Sequence, residues 1–169
     1  ILRGNEDILS ADAITDALSQ KDISVTVLDS VDSTNNYAKD LDTEDHPCVV
    51  ISDEQTGGRG RYGRKFFSPK GSGLYLSYAF KPAFPLDEMT QITAVTAVIA
   101  RRVLSKISDD PLLIKWVNDI YSGDRKVVGI LTEGISSLET ASFDKLIIGI
   151  GINCFSSDMP SEIRDTAGF

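Results

Sequence analysis

Between residues 57 and 73 the chain places six glycines, one proline and five basic residues (Arg59, Arg61, Arg64, Lys65 and Lys70) without a single acid. Glycine costs about 1 kcal/mol and proline about 3 kcal/mol in a helix interior, so no regular helix can run through this stretch. Within it, Gly58-Arg59-Gly60-Arg61-Tyr62-Gly63 spells the letters of the dinucleotide-binding pattern G-x-G-x-x-G. That pattern needs a helix opening immediately behind it, to hold a pyrophosphate, and an acid about 20 residues on. Here residues 65–73 are broken by Pro69, Gly71 and Gly73, and the next acid is Asp87. A Rossmann fold is therefore rejected. What remains is a loop whose bare backbone can approach a ligand closely and whose arginines supply planar, permanently charged donors suited to carboxylate and phosphate. So many glycines also predict that this loop closes over bound substrate to exclude water. On charge pattern alone, an exposed basic turn is the ordinary alternative.

The flanking sequence supplies the scaffold. Ser10 caps a predicted helix over 11–20, with Ala11, Ile14, Ala17 and Leu18 on one face. Residues 23–28 alternate as a strand, and Ser33-Thr34-Asn35 reads as the start of a second helix reaching Leu41. Strands are expected at 48–52 and 73–80, on either side of the basic loop. The longest helix is predicted over 87–107. After it come a short apolar run at 112–116, a loop at 117–119, a hairpin about Ser122-Gly123-Asp124, and strands at 126–133 and 145–153. The fold class is α/β (α+β), with a mixed, largely antiparallel sheet flanked by helices. Residues 154–169 carry turn chemistry and no clear element.

A chain of 169 residues, 41% hydrophobic, is long enough for one compact core. Its net charge of −8 discourages binding to nucleic acid, which depends on neutralising phosphates. Five of its 17 basic residues nevertheless cluster in the loop, and such an island on an acidic protein favours a small anion. No run approaches 18 apolar residues and no signal peptide is evident, so the expected location is the cytoplasm, away from membranes. Cys48 and Cys154 lie in apolar runs as small hydrophobes, and His46 has no Cys pair at short spacing to join, so no protein-bound metal is expected.

Three further features each have an ordinary reading. Lys115 and Trp116, at the end of a strand before Asn118-Asp119, fit a functional strand end or a surface cation over a ring. Ser33-Thr34-Asn35 fits a helix cap and Gln55 a polar loop residue. Asn153 fits a turn former.

Taken in order, these pieces resemble biotin protein ligases. The resemblance is carried by Asp32-Ser33-Thr34-Asn35, Glu54-Gln55-Thr56-Gly57-Gly58-Arg59-Gly60-Arg61, Gly63-Arg64-Lys65, Ser68-Pro69 and Gly73-Leu74-Tyr75. It continues through Lys115-Trp116, Asn118-Asp119, Lys126, Gly129-Ile130-Leu131, Glu133 and Gly149-Ile150-Gly151-Ile152-Asn153, and spans residues 24–153. It implies a fold similar to class II aminoacyl-tRNA synthetases and lipoate ligases. It also implies a reaction in which biotin and ATP give biotinyl-5′-AMP and pyrophosphate, and biotin then passes to a lysine of a biotin carrier protein.

Position by position, the resemblance assigns Ser33, Thr34, Asn35 and Gln55 to biotin's ureido head. Gly58, Arg59, Gly60 and Arg61 fall to its carboxylate and the phosphates, and Gly129, Ile130 and Leu131 to the pocket wall. Lys115 becomes the main catalytic cation, with Arg61 beside it. Arg59, Arg61, Arg64, Phe66, Lys115, Asn118 and Asn153 are assigned to ATP. ATP and substrate-bound Mg²⁺ are the implied cofactors, biotin the substrate, and the biotin carboxyl-carrier domain of a biotin-dependent carboxylase the partner; a homodimer is allowed. Residues 1–22 read as an N-terminal helix or linker. Residues 23–169 read as the catalytic domain, incomplete at its C-terminal end and lacking the family's small β-barrel. Val117 stands where the family usually has proline, and Phe66 where tryptophan is common. The rival readings are a fragment of a bifunctional ligase and biotin-operon repressor, a lipoate-type acyl ligase, and a non-catalytic biotin-binding module. Some 22 residues ahead of the first strand are too few for a winged helix, and the arginines argue against the other two.

Overall fold

The computed structural model describes residues 9–20, 22–83, 89–136, 143–155 and 167–168. In chain order the elements are α1 (Ala11–Ala17), β1 (Ser24–Leu28), α2 (Thr34–Asp40), β2 (Cys48–Ser52), a 3₁₀ turn (Arg61–Gly63), β3 (Gly73–Phe80), α3 (Met89–Leu104), β4 (Leu112–Lys115), β5 (Asp119–Ser122), β6 (Arg125–Ser136) and β7 (Phe143–Asn153). The seven strands form one sheet in the order β1-β2-β3-β7-β6-β5-β4. Only β1 and β2 pair in parallel, with α2 as their crossover; the other five pairings are antiparallel. The mixed, largely antiparallel sheet read from the sequence is the one observed.

Two predicted helices end earlier than their periodicity suggests. In α1, Ser10 accepts from the Ala13 amide as expected, but no residue of the helix is fully buried. With no packed face to reward further turns, it stops at Ala17. In α3, the backbone tightens after Leu104 into i→i−3 bonds at Lys106 and Ile107. The predicted start at Asp87 lies outside the described residues. Conversely, β6 and β7 run longer than predicted, because they pair with each other out to Ser136 and Phe143.

The helices take opposite faces of the sheet. On one side Ala97 and Leu104 of α3 meet Leu112, Ile120, Val128 and Ile130, with Ile148, Ile150 and Ile152 packed alongside. On the other, Ala38 of α2 joins Cys48, Val50, Ala79 and Ile147. Strand alternation produces this division: even-numbered residues of β7 point to α3, and Ile147, Gly149 and Gly151 point to the α2 side. The C-terminal end of α2 is tied to the sheet by Lys145, whose ammonium donates to the carbonyls of Ala38 (3.5 Å), Lys39 (2.7 Å) and Leu41. A cation there satisfies orphan carbonyls and suits the helix dipole.

Strand β6 carries an irregularity near its start. Tyr121 pairs with Lys126 and Ile120 with Val128, so Val127 is an extra residue in β6. Val127 and Val128 both join the α3-side core. The bulge thereby swings Lys126 onto the α2 side, where unbroken alternation would not have put it.

Candidate active site

The α2 side of the sheet is nearly bare at its centre. In register across β3, β7 and β6 lie Tyr75, Gly151 and Gly129, and beside them Ser77, Gly149 and Leu131. A methyl group at Gly149 would stand 2.3 Å from Asn35 Oδ1, and one at Gly151 2.4 Å from the Phe66 ring. These glycines are what allow side chains from α2 and the basic loop to settle over the strands. Between them lies a cavity of about 200 Å³.

One end of the cavity is a neutral hydrogen-bonded floor. Gln55 Oε1 accepts from the Thr34 amide (2.9 Å) and hydroxyl (3.1 Å), while its Nε2 donates to Ser68 Oγ (2.9 Å). From β3 the Ser77 hydroxyl lies 2.8 Å from Thr34 Oγ1 and 2.5 Å from Asn35 Oδ1. Ser77 has one proton for these two oxygens, so the floor retains an unfilled acceptor, and Gln55 keeps a second N–H. Ser33, 3% exposed, is extended and makes no cap bond with its side chain. Of its two readings, Ser33 is the N-cap of α2 by position only, and it lines the cavity.

The other end is cationic. Residues 57–68 form a small hairpin-like lobe held by Gly60 N to Arg64 O (2.7 Å), Phe66 N to Gly58 O (2.9 Å) and Gln55 N to Ser68 O (2.9 Å). At its tip Tyr62 adopts a left-handed backbone (φ 57°), followed by Gly63 in the same region. Arg61 Nη1 donates to Asn118 Oδ1 (3.3 Å), joining the lobe to the turn between β4 and β5. Asn118 donates in turn to Asp119 and to Ile130 O, and Asp119 pairs with Lys126 at 2.8 Å. The Lys126 ammonium also lies 5.7 Å from the centre of the Phe66 ring, which meets Tyr75 edge-on. Burial pushes the Tyr75 phenol up to about 12, so it remains protonated near neutrality.

The structure brings most residues singled out from sequence onto one cavity: Ser33, Thr34, Asn35, Gln55, Arg59, Gly60, Arg61, Arg64, Phe66, Asn118, Gly129, Ile130 and Leu131. Three stand apart from its wall. Gly58 is packing, since a methyl there would meet Phe66 O at 2.2 Å. Lys115 is exposed on edge strand β4, its ammonium 5.1 Å from the Tyr121 ring. It is on the site's face all the same, in register with Asp119 and, one strand further, Gly129. Asn153 donates to Lys126 O (2.9 Å), and its Oδ1 is buried without a partner among the described residues. Lys65, Asp119 and Lys126 also line the cavity, although sequence reasoning gives them no role there. For Lys126 the only available signal is its place in the resemblance, because a bulge leaves no mark in a Val-Val pair.

A pocket on the cleared face of a mixed sheet, neutral and hydrogen-bonding at one end and arginine-lined at the other, is a site for a small ligand with a polar uncharged head and an anionic tail. The chain belongs to the biotin/lipoate A/B protein ligase family, whose model matches residues 27–153. It is 37% identical over 143 residues to the bifunctional ligase/repressor BirA of Bacillus spizizenii, covering 82% of this chain and 43% of that protein. Its fold is similar to a biotin protein ligase from Aquifex aeolicus in complex with biotin and ATP, with a TM-score of 0.69, 37% identity, and coverage of 85% of this chain and 57% of that one. A Leishmania major biotin protein ligase in complex with biotinyl-5-AMP gives a TM-score of 0.69 at 26% identity, covering 86% and 62%. The chain therefore spans less than half the length of the curated relative. Among the described residues, no helix is long and apolar enough to cross a membrane.

Proposed function

We propose that this chain is the catalytic core of a biotin protein ligase, joining biotin to ATP as biotinyl-5′-AMP and then to a carrier-domain lysine. The observation that carries the reading is the two-ended cavity. Biotin's ureido head offers two N–H donors and one carbonyl, which suit the free acceptor of the Thr34/Asn35/Ser77 floor and the free donors on Gln55 and Ser33. Its carboxylate suits the arginine end.

In the first step a carboxylate oxygen attacks the α-phosphorus of ATP and pyrophosphate leaves. Anions converge, so preorganised cations must offset charge that grows in the transition state. In this reading Arg59, Arg61 and Lys126, which line the cavity, supply them together with Lys115 from the edge strand on the same face. The same reading gives Arg64, Phe66 and Asn118 from the cavity wall, with Asn153 behind Lys126, to the nucleotide. Mg²⁺ would travel with the polyphosphate; Asp119, the acid on the cavity wall, is already engaged by Lys126 and Asn118. In the second step the acceptor amine attacks the acyl carbonyl and AMP leaves. Residues 23–169 act in this reading as the catalytic domain, with residues 1–22 as a preceding segment.

The test is incubation with biotin, ATP and Mg²⁺, with and without a biotin carrier domain, following pyrophosphate release and biotin on the acceptor lysine. Release with transfer is the expected result. Release without transfer would move acceptor docking outside these residues, and biotin binding without release would leave a binding module.

A further inference from the structure

We propose that Glu133 is a positioning residue that couples the polar floor of the cavity to the arginine lobe above it, an inference that rests on the biotin-adenylating reading of the same site. Glu133 lies on β6 two residues beyond Leu131, paired with Ile147, and is not part of the cavity wall. Three residues from two segments meet on its carboxylate. Oε2 accepts from Asn35 Nδ2 at 2.7 Å, and Oε1 accepts from Lys39 Nζ at 2.9 Å. Arg59 Nη2 reaches both oxygens at 3.3 and 3.4 Å. Asn35 and Lys39 are four residues apart on α2 and so share a face, whereas Arg59 comes from the lobe.

The first consequence is for Asn35. An amide can sit either way round, and its orientation is decided by its partners. With Nδ2 held by the carboxylate at 2.7 Å and, more weakly, by Leu131 O at 3.4 Å, Oδ1 must face Ser77 and the cavity floor, which is the arrangement that leaves an acceptor for a ligand N–H. Replace the carboxylate with a group that can also donate, and only the long contact to Leu131 O still opposes the flipped amide.

The second consequence is for Arg59. Glu133 and Asn36 Oδ1 (2.6 Å) both engage Nη2 alone, leaving Nε and Nη1 without a partner among the described residues. The guanidinium is held by one corner and its remaining donors stay available to an anion in the cavity. Lys39 makes this arrangement workable. If Arg59 shifts toward a bound carboxylate, Lys39 still neutralises Glu133, so no half-buried anion is stranded. The Arg59 side chain is 42% exposed, and such a pair by itself contributes little stability. The value of the contact lies in orientation.

The test uses the full chain and biotin-dependent pyrophosphate release, with Glu133→Gln, Glu133→Asp, Arg59→Gln and the Gln/Gln double variant. Glu133→Gln should raise KM for biotin roughly tenfold, the size expected for losing a charge-assisted contact, while kcat changes less than about threefold. In the Arg59→Gln background Glu133→Gln should cost clearly less than its tenfold effect alone, since the part that acts through Arg59 is already gone and only the part through Asn35 remains. Glu133→Asp, which keeps the charge on a shorter stem, should fall between, and serves if the Gln variant does not fold. Wild-type constants in Glu133→Gln, or losses that multiply in the double variant, would overturn the coupling while leaving the adenylation reading intact. No biotin-dependent release by the wild-type chain would overturn both.

Discussion

Strands β6 and β7 present two surfaces built on opposite rules. Toward α3 they send Val128, Ile130, Ile148, Ile150 and Ile152, a continuous apolar layer. Toward α2 the same strands send Gly129, Leu131, Glu133, Gly149 and Gly151, a surface largely stripped of bulk. The first holds the sheet together; the second makes room for chemistry. The site thus owes its stability to the face it does not use, so substitutions on the two faces should separate folding from function.

The largest effect is expected on the packed face. Ile120 of the neighbouring strand β5, fully buried, faces the α3 core, and Ile120→Ala should cost about 2 to 5 kcal/mol of stability by urea unfolding. The folded fraction should bind biotin with affinity close to wild type, because the lost methyls point away from the floor. A large drop in affinity measured well below the melting temperature would break the division of labour between faces.

On the site face, Lys115→Ala should lower the adenylation rate on the order of 10²- to 10³-fold with the fold intact, as for removal of one preorganised cation. Near-wild-type turnover would take Lys115 out of the chemistry and pass its role to Lys126. Gly149→Ala sharpens the contrast further. Its methyl would stand 2.3 Å from Asn35 Oδ1, an overpacking cost of about 1 to 3 kcal/mol that should fall on biotin affinity, read by calorimetry. A Gly149→Ala chain that binds normally would mean that the floor can yield without loss.

The two faces also differ in how far they can be read in the sequence. Alternating apolar residues mark strand positions to within a few residues, and Gly149 and Gly151 interrupting the isoleucines of β7 are visible in the letters. The chain excursion of residues 57–73 is evident from composition alone. Ser33 reads as a cap because Ser-Thr-Asn is helix-start chemistry, and nothing local says that Ser77 and Gln55 give that segment a different use. Lys126 is hidden by a bulge whose cause is the pairing of β5 with β6. Glu133 is visible only as part of a resemblance, since its partners come from α2 and from a lobe more than 70 residues away. Local periodicity reveals which face a residue takes, but convergence of distant segments depends on tertiary pairing.

The smallest expected effect compares the two faces through acid. The α3-side cluster consists of Ala, Leu, Ile and Val side chains, none of which titrates. The site face carries Glu133, where burial opposes ionisation but hydrogen bonds from Asn35 and Lys39 and the charges of Lys39 and Arg59 outweigh it, holding the carboxyl below its ordinary range. Asp32 is likewise held low, chiefly by the Asn36 amide. A carboxylate depressed in the folded state adds stability that is present above its unfolded value and disappears as pH falls through the folded one, because the unfolded chain takes up its proton first. As pH falls below the ordinary glutamate value of 4.5, stability should therefore decline more steeply in the wild type than in Glu133→Gln, by no more than about 1 kcal/mol for partly exposed pairs. Parallel stability profiles for the two chains would show that the partners of Glu133 orient it without stabilising the fold.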